Sequence, residues 1–211
     1  MSNQTAATIG AIANAVNWEK EGLDLQSIIE AANQGRLGGP LTSWLVAREW
    51  NRVNAYLQKL FEMEIGVVNG KDTYETTRKV FPAGFDSDFE NWGVVFSGVA
   101  SKTRIEASKL VQNGKFSDFL GNTVAELEKR RMLGSQFLAI CRDPNKLQDG
   151  GYANFFVLTK GDEKVAEDLS NVFVARVLVS DDGRLGADLD EFRYDYVCLG
   201  DHEHRVFYPQ Q

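Results

Sequence analysis

The densest set of chemically competent side chains in this chain is Asp201-His202-Glu203-His204. The two imidazoles are the only histidines among 211 residues, and they stand two positions apart. Residues two apart on a strand project to the same side. Two neutral imidazoles on one face can grip zinc or another divalent ion. A closed or catalytic zinc site needs at least a third ligand. Cys198 would share that face if the strand register continued, but Gly200 interrupts it, and the oxygens of Asp201 and Glu203 alternate to the other side. A divalent metal on His202 and His204 is thus the sharpest chemical expectation. The favoured reading is the simpler one, an exposed polar turn ahead of a last strand, with no cofactor.

Other chemistries find less support. Cys141 and Cys198 lie in apolar runs without a local histidine, where cysteine behaves as a small core residue rather than a nucleophile. Asp181, Asp182, Asp188, Asp190 and Glu191 could include an acid/base pair with split pKa values. Their loop-like spacing reads more simply as a solvated acidic edge that protects a strand from unwanted pairing. Phe192, Tyr194, Tyr196 and Cys198 alternate with Glu191, Arg193 and Asp195, the pattern of a half-buried strand with the aromatics packed inward. Phe81, Phe85 and Phe89 surround Pro82 and Gly84 in a long irregular stretch. Aromatics so placed either anchor their own loop, the favoured assignment, or form a binding hot spot. With Trp50, Phe85 and Phe89 are the candidate protein-contacting side chains.

The familiar signatures of catalysis are missing. The chain has no phosphate-cradling G-x-x-x-x-G-K-[ST], no G-x-G-x-x-G, no G-x-S-x-G, no H-E-x-x-H and no paired CxxC. No segment carries a family signature. Net charge is −7, and its distribution matters more than its sum. Residues 161–211 hold twelve acidic and five basic side chains, which is −7, while residues 66–160 hold eleven and thirteen, which is +2. The acidic end repels phosphate backbones. Lys129-Arg130-Arg131 reads as a complement to a helix C-terminus before it reads as an RNA contact. Met1 to Thr8 carries no basic residue and no stretch approaches the roughly 20 apolar residues that span a bilayer. A soluble protein in the cytoplasm, with reduced thiols and no membrane or nucleic-acid partner, is the expectation.

The elements that must position these residues follow from periodicity. Helices are predicted over Ala6–Trp18, Asp24–Gln34 and, most strongly, Leu41–Glu64, where Val46, Trp50, Val53, Leu57 and Leu60 make one stripe. Ser101–Asn113 reads as a helix, and Phe116–Met132 as two helical pieces split at Gly121-Asn122, with Thr123 and Glu126 as a capping box. Trp92–Phe96, Gln136–Cys141, Asn154–Thr159, Asn171–Ser180 and His204–Tyr208 read as strands. Asn171–Ser180 is apolar on both faces except at Arg176, hence central. Asp181-Asp182-Gly183 is a hairpin turn.

The fold class that results is α+β, a helical N-terminal half packed on a mainly antiparallel C-terminal sheet. Residues 1–39 form a helical lead-in, and residues 40–211 an α+β body with its sheet mainly from 135–208. The predicted function is a non-enzymatic protein-binding or assembly module, acting on a protein partner or by self-association. One alternative is an enzyme, a metal-assisted hydrolase using His202 and His204. A second is a nucleic-acid-associated protein using Lys129, Arg130, Arg131, Arg142 and Lys146.

Overall fold

A computed structural model describes residues 55–210, all of them within the compact unit Trp50–Gln211. The first two predicted helices, and Trp50 with them, lie outside the described residues.

In chain order the elements are β1 (Leu57–Ile65), α1 (Tyr74–Arg78), β2 (Gly84–Phe85), α2 (Asp88–Asn91), β3 (Thr103–Leu110), α3 (Phe116–Phe119), α4 (Val124–Arg130), α5 (Gly134–Cys141), β4 (Asn154–Thr159), β5 (Val172–Val179), β6 (Leu185–Glu191) and β7 (Arg205–Pro209). The seven strands form one mixed sheet in the order β1-β3-β7-β4-β5-β6-β2. Pairs β1/β3, β3/β7, β4/β5 and β5/β6 are antiparallel, while β4/β7 and β2/β6 are parallel.

This overturns the expected fold class. The sheet draws two of its strands from segments predicted to be helical, and the described helices are short. In β1 the residues Phe61, Met63 and Ile65 face the core while Glu62 and Glu64 face away. That period of two competes with the four-and-three spacing through Leu57 and Leu60, and pairing with β3 decides in its favour. A register shift between Lys59 and Phe61 marks a bulge. It is why Leu60 stands exposed and why Lys59 and Glu62, three apart, reach the same side. In β3, Ile105 and Ala107 enter one core cluster and Leu110 the other, so no single apolar face advertises the strand.

Three smaller expectations also change. Gln136–Cys141 belongs to helix α5, which is buried nearly all round and so has no amphipathic signature. Trp92–Phe96 is irregular, turning at Gly93 (φ +74°), although Val94 and Phe96 are core residues. The return strand after the hairpin is Leu185–Glu191, and the chain leaves the sheet at Phe192.

Other elements follow the sequence closely. α3 and α4 are the two pieces split at Gly121-Asn122, and β4, β5 and β7 stand within a residue or two of their predicted places. At the start of α4 the Glu126 N–H donates to Thr123 Oγ1 (3.3 Å) and the Thr123 N–H donates to Glu126 Oε2 (3.1 Å), which closes the capping box.

The sheet is buried on both faces. On the first face, α5 and the 81–96 segment cover Ile105, Ala107, Phe156, Leu158, Phe173, Ala175, Val177 and Phe207. On the second face, α3 and α4 cover Leu110, Phe155, Val157, Val172, Val174 and Val206. The second face also carries a polar corner. Tyr208 Oη donates to Glu106 Oε1 and shares a hydrogen bond with Ser108 Oγ (3.1 Å), and the buried Arg130 guanidinium lies over the Tyr208 ring at 4.5 Å. Burial of Glu106 works against its charge, yet the hydrogen bonds from Tyr208, Gln210 and Ser108 outweigh it and hold the carboxyl below its usual range.

Candidate functional site

A cleft of about 270 Å³ opens on the second face, where α3 ends and the strands continue. Its floor is a cross-strand arrangement. Phe155 of β4 stands opposite Arg176 of β5, and Arg176 opposite Asp188 of β6. One pair further along, Val174 stands opposite Asp190. Alternation along β5 puts Val172, Val174, Arg176 and Leu178 on this face, so the one charge in an otherwise apolar strand points into the cleft. The guanidinium donates from Nη2 to Asp188 Oδ2 at 3.0 Å, and Nε lies 3.9 Å from Asp190 Oδ2.

The walls come from Phe116 of α3 and from the 192–204 segment. Phe192 and Cys198 anchor that segment in the core beneath it. Cys198 and Gly114 exchange backbone hydrogen bonds at 2.8 and 3.0 Å. Gly200 passes so close to Gln112 that a Cβ there would sit 2.5 Å from its backbone nitrogen. Held at both ends, the segment turns Tyr194 and Tyr196 outward, 58% and 53% exposed. Their rings stack on each other with centroids 6.4 Å apart. His202 and His204 close the far wall, edge to face at 5.3 Å, with Tyr152 against both and Phe155 against His204.

Burial and the neighbouring His202 push the His204 imidazole down to about 4. The Ala153 N–H donates to its Nδ1 at 3.0 Å, so the neutral ring carries its proton on Nε2. Asp190 is shifted the other way: burial raises its carboxyl, and Arg176 opposes the rise. The charged side chains that line the cleft are thus Arg176 and Asp190, beside a His204 that is uncharged at neutral pH.

The His204 environment has a consequence for stability. In the unfolded chain the ring takes its proton near its ordinary value of 6.5, and in the fold only near 4. Between those values the unfolded state binds more protons. The contribution of His204 is therefore complete above pH 6.5 and is lost as pH falls toward 4. Denaturant midpoints at pH 7 and pH 5 should be closer together in His204→Gln than in the parent, since an amide oxygen can still accept from Ala153 without titrating.

The structure brings His202 and His204 to one wall, together with Arg176, which the sequence singles out only as an exception in β5. Among the described residues no group of three or more His, Cys, Asp and Glu side chains is arranged to hold a metal ion. The hydrogen bond at His204 Nδ1 also leaves a proton on the nitrogen that a metal would need. Both cysteines are free and buried, and burial raises both thiols, Cys198 to about 12. Phe89 is fully buried. Phe85 is half-buried and stacks on Phe81 at 5.4 Å and on Phe89 at 4.6 Å, so all three rings pack together on the first face. Of the basic middle segment, Arg130 is buried, Arg131 pairs with Glu128 (3.1 Å), and Arg142 pairs with Asp72. α4 and α5, which carry or adjoin these residues, pack on opposite faces of the sheet.

Sequence periodicity misplaces Tyr194 and Tyr196. Their alternation with Arg193 and Asp195 reads as strand, yet the backbone turns at once, with the Tyr194 N–H bonded to the Glu191 carbonyl (2.9 Å). Among the described residues, no helix is long and apolar enough to cross a membrane. No family model, curated protein or solved structure matches this chain.

Proposed function

We propose that this chain is a non-enzymatic protein-binding module whose docking surface is the aromatic-rimmed cleft on the second face of the sheet. One observation carries this. Of eight large hydrophobic side chains exposed among the described residues, four (Tyr194, Tyr196, Val197 and Leu199) fall in a single six-residue stretch beside the cleft. Exposed apolar side chains scattered singly need no explanation, but a contiguous group rimmed by polar residues marks an interaction surface. Tyrosine suits such a surface, since it offers a rigid ring and a wet hydroxyl together, and it is enriched at binding hot spots. The segment is fixed from below by Phe192 and Cys198, so little order must be gained on binding. No comparable observation favours a metal-assisted hydrolase.

The test is a peptide-display selection against the full chain, with the Tyr194→Ser/Tyr196→Ser variant as counter-screen. Enriched peptides should lose at least about tenfold in affinity on the variant, a difference of ~1.4 kcal/mol, while its circular dichroism and melting stay those of the parent. A library that returns no binder, or binders indifferent to both tyrosines, would overturn the proposal.

A further inference from the structure

The tripeptide Asn-Gly-Lys occurs twice in this chain, at 69–71 and at 113–115, each time two residues after a valine. We infer that Asn69 is a site of spontaneous backbone modification, where the side-chain amide gives way to an isoaspartyl linkage, and that the fold withholds the same fate from Asn113. The inference is independent of the docking surface. The reaction begins when the Gly70 nitrogen loses its proton to a base and attacks Cγ of Asn69. A bond forms between that nitrogen and Cγ, and the amide nitrogen takes up a proton and leaves as ammonia, which closes a cyclic imide. Water then opens the ring. Breaking the bond from the ring nitrogen to the main-chain carbonyl gives isoaspartate, and breaking the bond to Cγ gives aspartate. Neither step is an oxidation or a reduction, and water is the co-reactant.

The reaction needs a free attacking nitrogen and a carboxamide able to turn onto it. Asn69 has both. It is exposed, in the irregular stretch between β1 and α1. Among the described residues neither its carboxamide nor the Gly70 N–H makes a hydrogen bond. Residue 70 has no side chain to screen its nitrogen from Cγ. Asn113 has neither. The Gly114 N–H donates to the Cys198 carbonyl at 3.0 Å, which holds its proton in place. Asn113 Oδ1 accepts from the Gly200 N–H at 2.8 Å, which commits the carboxamide to another partner. The fold also retains half of the labile pair. Gly70 has φ +62°, and a Cβ there would stand 2.1 Å from the Ser97 carbonyl oxygen, so glycine is required. Asn69 is under no such constraint, since its φ lies outside the left-handed region. Conversion falls at a sensitive point. Just before Asn69, Val68 and Ala100 exchange backbone hydrogen bonds at 2.9 and 3.1 Å. An isoaspartyl residue adds a methylene to the main chain between that bridge and the packed Gly70, and it adds a carboxylate. The bridge is therefore loosened.

Peptide mapping by mass spectrometry of the full chain, kept at pH 8 both folded and in urea, tests this. In the folded chain the peptide containing Asn69 should take on the mass of the acid and split into isoaspartyl and aspartyl forms. It should do so at least about tenfold faster than the peptide containing Asn113, whose amides must first open. In urea the two sites should convert at similar rates, because their local sequences match. Both comparisons are made on the parent chain and do not depend on how a variant folds. Asn69→Gln, with the same amide on a longer arm, should stay unmodified over the same time and keep the circular dichroism and melting of the parent. In the isoaspartyl form the amide protons of Val68 and Ala100 should exchange at least about tenfold faster than in the fresh protein. Equal or faster conversion at Asn113 in the folded chain would overturn the inference. So would protection of both sites by the fold, a preference for Asn69 that persists in urea, or aspartate formed without isoaspartate. Unchanged exchange at Val68 and Ala100 would overturn the effect on the bridge.

Discussion

Replacing Phe137 with alanine should destabilise the protein by about 4 kcal/mol, the middle of the range for deleting a buried aromatic ring. Phe137 is fully buried on α5 and is the meeting point of the first-face aromatics. Its ring stacks on Phe81 (5.8 Å) and Phe89 (6.1 Å), stands edge-on to Phe156 (5.0 Å), and lies tilted against Phe96 (6.3 Å). Three of those partners belong to the 81–96 segment, which has little regular structure and is held by these rings. Removing the ring therefore opens a cavity and loosens the segment together. For a chain of this size the loss should lower the melting temperature by about 10 °C. Phe137→Leu, which keeps most of the volume, should lose less than half as much. A loss under about 2 kcal/mol for the alanine variant would mean that the surrounding rings collapse into the space.

Gly134→Ala should cost about 3 kcal/mol, the opposite sign from the usual gain when alanine replaces glycine in a helix. Gly134 opens α5 and donates its N–H to Asp162 Oδ1 (3.0 Å). A Cβ on it would stand 2.0 Å from the Val95 carbonyl oxygen, a backbone atom that cannot swing aside. To accommodate the methyl group, α5 must lift from the irregular 92–96 stretch, and that move disturbs the Asp162 hydrogen bond as well. Gly66→Ala is the matched control, since nothing lies within 4 Å of a Cβ there. It should fall within about 0.5 kcal/mol of the parent. Denaturant unfolding of both variants measures the contrast. Equal stability of the two would mean that the helix seats itself differently against Val95.

How far the fold is legible in the sequence depends on whether an element shows one period or two. β5 is readable because both faces are apolar and Asp181-Asp182-Gly183 follows it. α4 is readable because Thr123 and Glu126 satisfy each other's backbone donors. β1 is misread because Leu, Gln, Lys, Glu and Met all favour helix locally, and only pairing with β3 makes the alternation of Phe61, Met63 and Ile65 decisive. α5 is misread for the reverse reason: burial on nearly every side erases the helical stripe. Of the candidate site, the histidine pair and the exception at Arg176 are visible in the sequence. Tyr194, Tyr196 and Asp190 are visible as residues but are assigned to a packed face and a solvated edge. Nothing local tells that the strand stops at Glu191, because Phe192 continues the alternation and is buried in its own right.

The position of β7 bears on how the chain reaches this state. Residues 205–209 form a strand that lies between β3 and β4 and pairs with both, antiparallel to one and parallel to the other. Until that strand is in place, the sheet is two separate pieces, β1-β3 and β4-β5-β6-β2, each with an open edge flanked by apolar side chains. The contacts that join them are long-range, about 100 positions apart to β3, as in Glu106 with Tyr208, and about 50 to β4, as in Phe155 with Val206. Loop closure over such a separation comes before the contacts that reward it, so folding should be slow for the chain's size. A nascent chain still short of residue 205 would present two unpaired edges, the condition in which strands join the wrong neighbour.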